Sequence, residues 1–296
     1  MATIEGKGSA VVRVLVTGAN GQLGSALVDL LQARGDDVLG ADLPDLDIVN
    51  PVSVAQAFQA FAPEVVINCA AFTAVDDAES QESLAMAINA EGPRVLATQC
   101  LVSGAWLVHI STDYVFSGQA CTPYSEDAPG DPKSAYGRTK WAGEQAVRSV
   151  LPDASYIVRT AWLYGLTGNN FVKTMVRMER ERDTVSVVTD QIGQPTFAAD
   201  LAAQIVQLLH AHPPAGTFHA TNSGQCSWFE FAQAIFRQIG ADPDRVLPTD
   251  SASFTRPAPR PSYSVLGHEQ WIACGMLPMQ PWSKALDDAF AAGIGR

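Results

Sequence analysis

A chain of 296 residues, 47% of them hydrophobic, can bury a sizeable core, and its length suits either one large α/β domain or a domain with a smaller lobe. A net charge of −12 leaves no basic surface for a phosphate backbone, so nucleic acid is not an expected partner. The longest apolar runs fall far short of a membrane span and the opening MATIEGKGSA lacks the apolar stretch of a signal peptide, which points to a cytoplasmic protein with residues 1–10 as a flexible leader.

Val11, Val12, Val14, Leu15 and Val16 form a run suited to a strand buried on both faces of a parallel sheet. Gly18, Gly21 and Gly24 follow, and glycines allow a tight turn, close approach of a pyrophosphate and packing of the next helix on the strand. Leu23, Leu27, Leu30 and Leu31 then make an apolar stripe at helical spacing, so the free N–H groups of the first helical turn point at an anion site. The Gly-x-x-Gly-x-x-Gly spacing differs from the G-x-G-x-x-G of many dehydrogenases. A second strand, Asp37 to Ala41, ends at Asp42, where a dinucleotide-binding unit carries the acid that accepts hydrogen bonds from the adenosine ribose.

Asn50 is placed to cap a helix with Pro51 at its first position, ending near Phe61. A strand over Val65 to Asn68 leads into NCAAFTAVDDAES, which belongs at the carboxyl edge of the sheet, where open α/β sheets bind ligands. A helix from about Gln81, with Asn89 inside it, continues past Pro93 to a segment ending near Ser103, and Trp106 to Ser111 forms the fourth strand. Strand and helix alternate throughout, as right-handed crossovers in a doubly wound sheet require.

Thr112 stands at the end of that fourth strand, and a helix starting near Ser134 carries Tyr136 and Lys140 on one face, continued by Gly143 and Val147. Polar side chains on an inward stripe need a reason, and reduction of a ketone supplies one. Hydride arrival leaves negative charge on the oxygen, so an acid must give a proton and a donor must hold the oxygen. A tyrosine titrates too high for easy proton exchange at neutral pH, and a neighbouring ammonium such as Lys140 is expected to lower it. Thr112 supplies the holding hydroxyl.

Ser155 to Arg159 forms a fifth strand, and beyond it the pattern becomes less regular. The charged stretch Arg177 to Asp183 reads as a solvated helix face. Gln191, Gly193 and Pro195 mark a turn, helices are expected over Ala199 to His210 and Trp228 to Ile239 with a short strand at Thr217 to Ala220 between them, and a last helix ends at Ala292. ASFTRPAPRPSYSVLG alone would suggest a linker. Five cysteines and five histidines show no metal-ligand or disulfide spacing.

TGANGQLG, NCAAFTAVDDAES, STDYVFSG, YGRTKWAGE, DQIGQPT and RPSYSVL, in that order, resemble the motifs of the dTDP-4-dehydrorhamnose reductase family, within the extended short-chain dehydrogenase/reductases. The resemblance implies an α/β Rossmann-type doubly wound parallel sheet over 11–165, with a smaller C-terminal α/β substrate-binding lobe over 166–296 from which segments near 190–220 return to the sheet. It implies reduction of the 4-keto carbon of dTDP-4-dehydro-L-rhamnose by NADPH or NADH, with Thr112, Tyr136 and Lys140 catalytic. Gly18, Gly21, Gln22, Leu23, Asp42, Asp47, Ile48, Ala71, Phe72 and Thr73 would touch the cofactor, with Tyr136 and Lys140, the latter on the nicotinamide ribose. Asp42 leans toward NADH, because its carboxylate would repel a 2′-phosphate, although the family includes users of either cofactor. Thr112, Asp113, Trp162 and Asn170 match positions on the sugar-nucleotide side, and Arg260 is a candidate for the diphosphate. Plainer readings stand beside two of these: a core aromatic for Trp162 and an internal ion pair for Arg260.

Rival readings are another sugar-nucleotide reductase, an epimerase or a dehydratase on the same fold, and a non-catalytic regulatory subunit resembling the partner of methionine adenosyltransferase. Thr112-Asp113-Tyr114 lacks the glutamate of the dehydratases. Some family members form magnesium-bridged dimers through a glutamate in the first helix. Here Ala26 stands at that place, so no structural metal is expected, and monomer and homodimer both stay open.

Overall fold

The computed structural model describes residues 11–295, so the expected leader lies outside the described residues. β1 (Arg13–Thr17) runs into α1 (Gln22–Ala33), followed by β2 (Asp37–Ala41), α2 (Pro51–Phe61) and β3 (Val65–Asn68). The short α3 (Val75–Ala78) and α4 (Glu82–Met86) precede a single π-helical turn, Ala87–Glu91, which runs straight into α5 (Gly92–Ser103). β4 (Trp106–Thr112), α6 (Ala135–Val150) and β5 (Ser155–Thr160) complete the regular alternation.

These strands and a later one, β10 (Gly216–His219), form a six-stranded sheet in the order β10-β5-β4-β3-β1-β2, parallel throughout. Register aligns their carboxyl ends: Thr17 pairs with both Ala41 and Asn68, and Thr112 with Thr160. β1 is buried on both faces as its composition requires. Val14 and Val16 pack with Leu23, Leu27 and Ile205 on one side, while Leu15 packs with Val66, Leu96 and Leu107 on the other. Asn50 caps α2 through the N–H groups of Val52 and Ser53, and Ser134 caps α6 through Gly137 N–H, so the polar residues flanking each helix fix where it begins.

After β5 the chain departs from simple alternation. β6 (Leu163–Tyr164), α7 (Phe171–Glu181), β7 (Val185–Val188), β8 (Ile192–Gly193) and β9 (Thr196–Phe197) come first. α8 (Ala198–Ala211) then packs on α1, and β10 (Gly216–His219) adds to the free edge of β5. β11 (Cys226–Ser227), α9 (Trp228–Gln238), β12 (Val246–Thr249), α10 (Glu269–Ala273) and α11 (Trp282–Ala291) follow. α7, α9 and α11 close a second apolar core around Val172, Phe231, Phe236 and Leu286. A two-stranded parallel sheet of β7 with β12 flanks it; β7 reads Val185-Ser186-Val187-Val188, a β-branched alternation that fits a strand, although the expected elements do not include it.

Candidate active site

At the carboxyl edge of the sheet lies a cavity of about 730 Å³. Its first wall is the glycine turn. Gly18 adopts φ +66°, and a Cβ there would sit 2.6 Å from Ala70 N; a Cβ on Gly24 would sit 2.1 Å from Gly18 O. α1 starts at Gly21 with no side-chain cap, so the N–H groups of its first turn remain available beside Gly21, Gln22, Leu23 and Gly24, all of which line the cavity. Among the other residues read from the sequence as cofactor contacts, Asp42, Asp47, Ile48, Ala71 and Thr73 also line it.

Phe72 does not reach the lining. Its ring packs with Tyr136 and the alanines of α3, α4 and α6, and its backbone is gripped by Asn89. Asn89 Oδ1 accepts Phe72 N–H at 2.8 Å, while Asn89 Nδ2 donates to Phe72 O at 3.1 Å and to Thr139 Oγ1 at 3.0 Å. This fully buried amide sets the height of the 71–73 loop from the π turn. The sequence places Asn89 only inside a helix; its signal is a polar residue where helical spacing calls for an apolar one.

Thr112, Asp113, Tyr136 and Lys140 gather on one side of the cavity. The Thr112 hydroxyl donates to Asp113 Oδ1 at 2.9 Å and accepts from Tyr114 N–H at 3.2 Å. Lys140, buried, donates to the Ile110 carbonyl at 2.6 Å, and burial brings its ammonium down to about 8. Burial pushes the Tyr136 phenol up to about 12, against the Thr112 hydroxyl that favours the phenolate and with the Asp113 charge that disfavours it. The sequence expectation that Lys140 lowers Tyr136 is thus corrected: withdrawal from water governs the phenol, and the lysine is turned to a backbone carbonyl. Burial also raises Asp113, to about 6. The nearby Ser264 hydroxyl opposes this rise, yet neither Ser264 Oγ nor Asp113 Oδ2 makes a hydrogen bond of acceptable geometry.

Beneath these groups the sheet is tied by buried polar chains. Glu144 on α6 accepts Ser111 Oγ at 2.6 Å, Arg159 Nε at 2.9 Å, and Arg159 Nη2 and Arg148 Nη2 at 2.8 Å each. Thr17 Oγ1 donates to Asn68 Oδ1 at 2.7 Å, and Asn68 Nδ2 meets His109 Nδ1 at 3.0 Å. Burial first, then the Lys140 and Arg148 charges, holds His109 well below its ordinary range and hence neutral.

On the far wall, Trp162 lines the cavity with a left-handed backbone, φ +45°, and its indole stacks on Trp228 with ring centroids 3.6 Å apart. Asn170 lies outside the lining: it caps α7 through Lys173 N–H and donates to Gln22 Oε1 at 3.1 Å. With the contact between Ser25 Oγ and Thr167 Oγ1 at 2.9 Å, it fastens the 165–170 loop across the start of α1. Arg260 borders a second cavity, of about 280 Å³, shared with Lys133 and Ser117, and pairs with Asp76 at 2.9 Å. Tyr114, which in the sequence serves only to set the chain apart from the dehydratases, lines both cavities.

No cluster of three or more His, Cys, Asp or Glu suited to a metal ion occurs among the described residues, and none of the described helices is long and apolar enough to cross a membrane. A reductase named dTDP-4-dehydrorhamnose reductase from Streptomyces griseus is 52% identical over 288 residues, 96% of this chain and 95% of its own. A Streptomyces antibioticus protein, named a probable dTDP-4,6-dihydroxy-2-methyloxan-3-one 4-ketoreductase, is 50% identical over 94% of this chain and 95% of its own. The dTDP-4-dehydrorhamnose reductase of Bacillus anthracis, solved in complex with NADP, superposes with a TM-score of 0.92 at 45% identity, covering 95% of this chain and 99% of that one. The family model described as the RmlD substrate binding domain matches residues 12–293, and on that span and those identities the chain belongs to the dTDP-4-dehydrorhamnose reductase family.

Proposed function

We propose that this chain reduces the 4-keto group of dTDP-4-dehydro-L-rhamnose to give dTDP-L-rhamnose with NADPH or NADH. The observation that carries the reading is the meeting of Thr112, Tyr136 and Lys140 in the same cavity as the glycine turn. The fit of a dinucleotide rests on that turn, where a Cβ at Gly18 or Gly24 would fill space the backbone needs, and on the uncapped start of α1, whose N–H groups suit a pyrophosphate. Gly21, Gln22 and Leu23 would hold the phosphates, Asp42 and Asp47 the adenosine side, Ala71 and Thr73 the middle, and Lys140 the nicotinamide ribose. A reduced nicotinamide bound there supplies hydride to the keto carbon. Tyr136 gives its proton to the C4 oxygen and Thr112 holds that oxygen. A phenol near 12 is fully protonated at neutral pH, which is the form a proton donor needs.

Asp113 and Trp162 would meet the sugar, and Arg260, beside the second cavity, the diphosphate side. We assign residues 11–165 to cofactor binding and 166–296 mainly to the sugar nucleotide, with the α8 and β10 segment contributing to the sheet. We further propose a cytoplasmic reaction, in a monomer or homodimer without nucleic-acid or membrane partners.

The test is oxidation of reduced nicotinamide by purified protein given dTDP-4-dehydro-L-rhamnose, with the product identified chromatographically as dTDP-L-rhamnose. Tyr136→Phe is expected to bind cofactor and lose about 10²- to 10⁴-fold in rate, since a positioned proton donor contributes that much. Turnover at the wild-type rate in that variant, or no consumption of either cofactor by the wild type, defeats the reading. Consumption only with a different dTDP-keto sugar keeps the chemistry and changes the substrate, the direction in which the 50% identical 4-ketoreductase points.

A further inference from the structure

Trp228 takes no part in the reaction proposed above and does not line the main cavity, yet its ring lies flat against the one tryptophan that does. Trp162 stands just beyond Thr160, the strand-end partner of Thr112, and so belongs to the wall across from the proposed triad. Its backbone is left-handed at φ +45°, a region that bulky side chains avoid and that persists only where the surroundings over-determine it. Three contacts do so here. Trp162 O accepts Thr196 N–H at 3.1 Å. Trp228 stacks on the indole with the ring planes 11° apart. A Cβ on Gly193 would sit 2.5 Å from the indole Cε2 and 2.6 Å from its Cζ2, so backbone closes on the ring with no room for a side chain.

Gly193 and Trp228 are delivered together. Gly193 on β8 pairs with Cys226 on β11, and Ser227, the other residue of β11, caps α9, whose first residue is Trp228. The capping box between Ser227 and Glu230 fixes where that helix starts. Phe171, the first residue of α7, adds a second aromatic contact to Trp228 with centroids 4.5 Å apart. An indole that only filled the second core would need neither a left-handed backbone nor a glycine beside it. Both features cost stability, and together they leave the ring in the cavity wall, where its angle sets the surface a pyranose can lie against.

We infer that Trp228 is a positioning residue for the sugar: with Gly193 it holds the Trp162 indole at one angle, and that angle sets how the hexose and its keto carbon are presented to the nicotinamide. The inference rests on the proposed sugar-binding role of Trp162 and adds two residues behind the indole that touch no substrate. Hydride transfer is sensitive to such placement, because a reacting centre held slightly out of line loses the benefit of being bound.

The experiment is calorimetric binding of dTDP-L-rhamnose, and separately of dTDP, which lacks the sugar, to the full chain with oxidised cofactor present. Trp228→Ala should weaken dTDP-L-rhamnose about tenfold, the scale of one aromatic pair, and leave dTDP within about twofold. Trp228→Phe, which returns a ring to the stack, should recover most of the loss. Gly193→Ala presses on the indole independently of Trp228 and should reproduce the sugar-only weakening, so the inference can fail even if Trp228→Ala does not fold. A general loss of packing would instead weaken both ligands in parallel. Parallel losses, or no loss for either ligand in the folded variants, overturn the inference while the wild-type preference for dTDP-L-rhamnose over dTDP leaves the sugar reading standing. Wild-type protein that binds dTDP-L-rhamnose no more tightly than dTDP overturns the sugar reading of this wall, and the inference with it.

Discussion

Lys140 and Tyr136 share one face of α6 and respond to burial in opposite senses. The lysine loses charge more easily than in water, titrating at about 8, while the tyrosine holds its proton until about 12. Reduction therefore has its proton donor across the whole neutral range, and the group that titrates within reach of an assay is the ammonium. kcat/KM for the sugar nucleotide is expected to fall as pH rises through about 8, by about tenfold per unit above it. Stability moves the other way. Between about 8 and the ordinary lysine value the unfolded chain binds a proton that the folded chain has released, so this group makes unfolding harder as pH rises, by about 3 kcal/mol in all. Rate and denaturant midpoint measured on the same samples from pH 7 to 10 check both signs; in Lys140→Met the upward drift of the midpoint should shrink. A rate that stays flat to pH 10 removes Lys140 from the mechanism.

At the scale of elements, α6 does two tasks. One turn presents Tyr136 and Lys140, and the next fixes the helix to the sheet through Glu144, which is fully buried and bidentate to Arg159. Glu144→Ala would leave the Arg159 guanidinium, 1% exposed, without its counter-charge, and removing one partner of a buried pair costs about 3–5 kcal/mol. Chemical denaturation is the check, and a loss below about 1 kcal/mol would show that Arg159 finds enough support in His219 and the Glu126 carbonyl. α6 also shows which parts of the site are legible in a sequence. Ser134, Tyr136 and Lys140 announce themselves, because a cap and a spacing of four are local. The glycine turn is readable for the same reason, and α2, α8 and α9 fall within a residue or two of where capping and periodicity put them. Contacts that join distant segments leave no such mark. Neither the grip of Asn89 on Phe72 nor the link from Asn170 to Gln22 shows in spacing, since their partners lie 17 and 148 residues away. The phenol's upward shift is hidden for a similar reason: it depends on how completely the surrounding elements exclude water.

The molecule as a whole is organised by a chain that leaves its main sheet and comes back. β5 pairs with β4 on one side, and its other side stays open until Gly216–His219 arrives. The helix delivered with it, α8, covers Leu23, Leu27 and Leu31 of α1, so the outer layer over the glycine turn is supplied late in the sequence. During synthesis the first 160 residues hold every proposed catalytic side chain, yet they lack both the strand that closes an exposed edge and the helix that covers an apolar face. A shortened protein ending at residue 165 is therefore expected to aggregate or to show the loose near-UV signature of an unpacked core, whereas one ending after β10 should retain a cooperative sheet; circular dichroism and gel filtration tell these apart. Catalytic competence is thus deferred in time: a ribosome must finish 79 residues beyond Lys140, to His219, before the side chains of the triad have a floor to stand on.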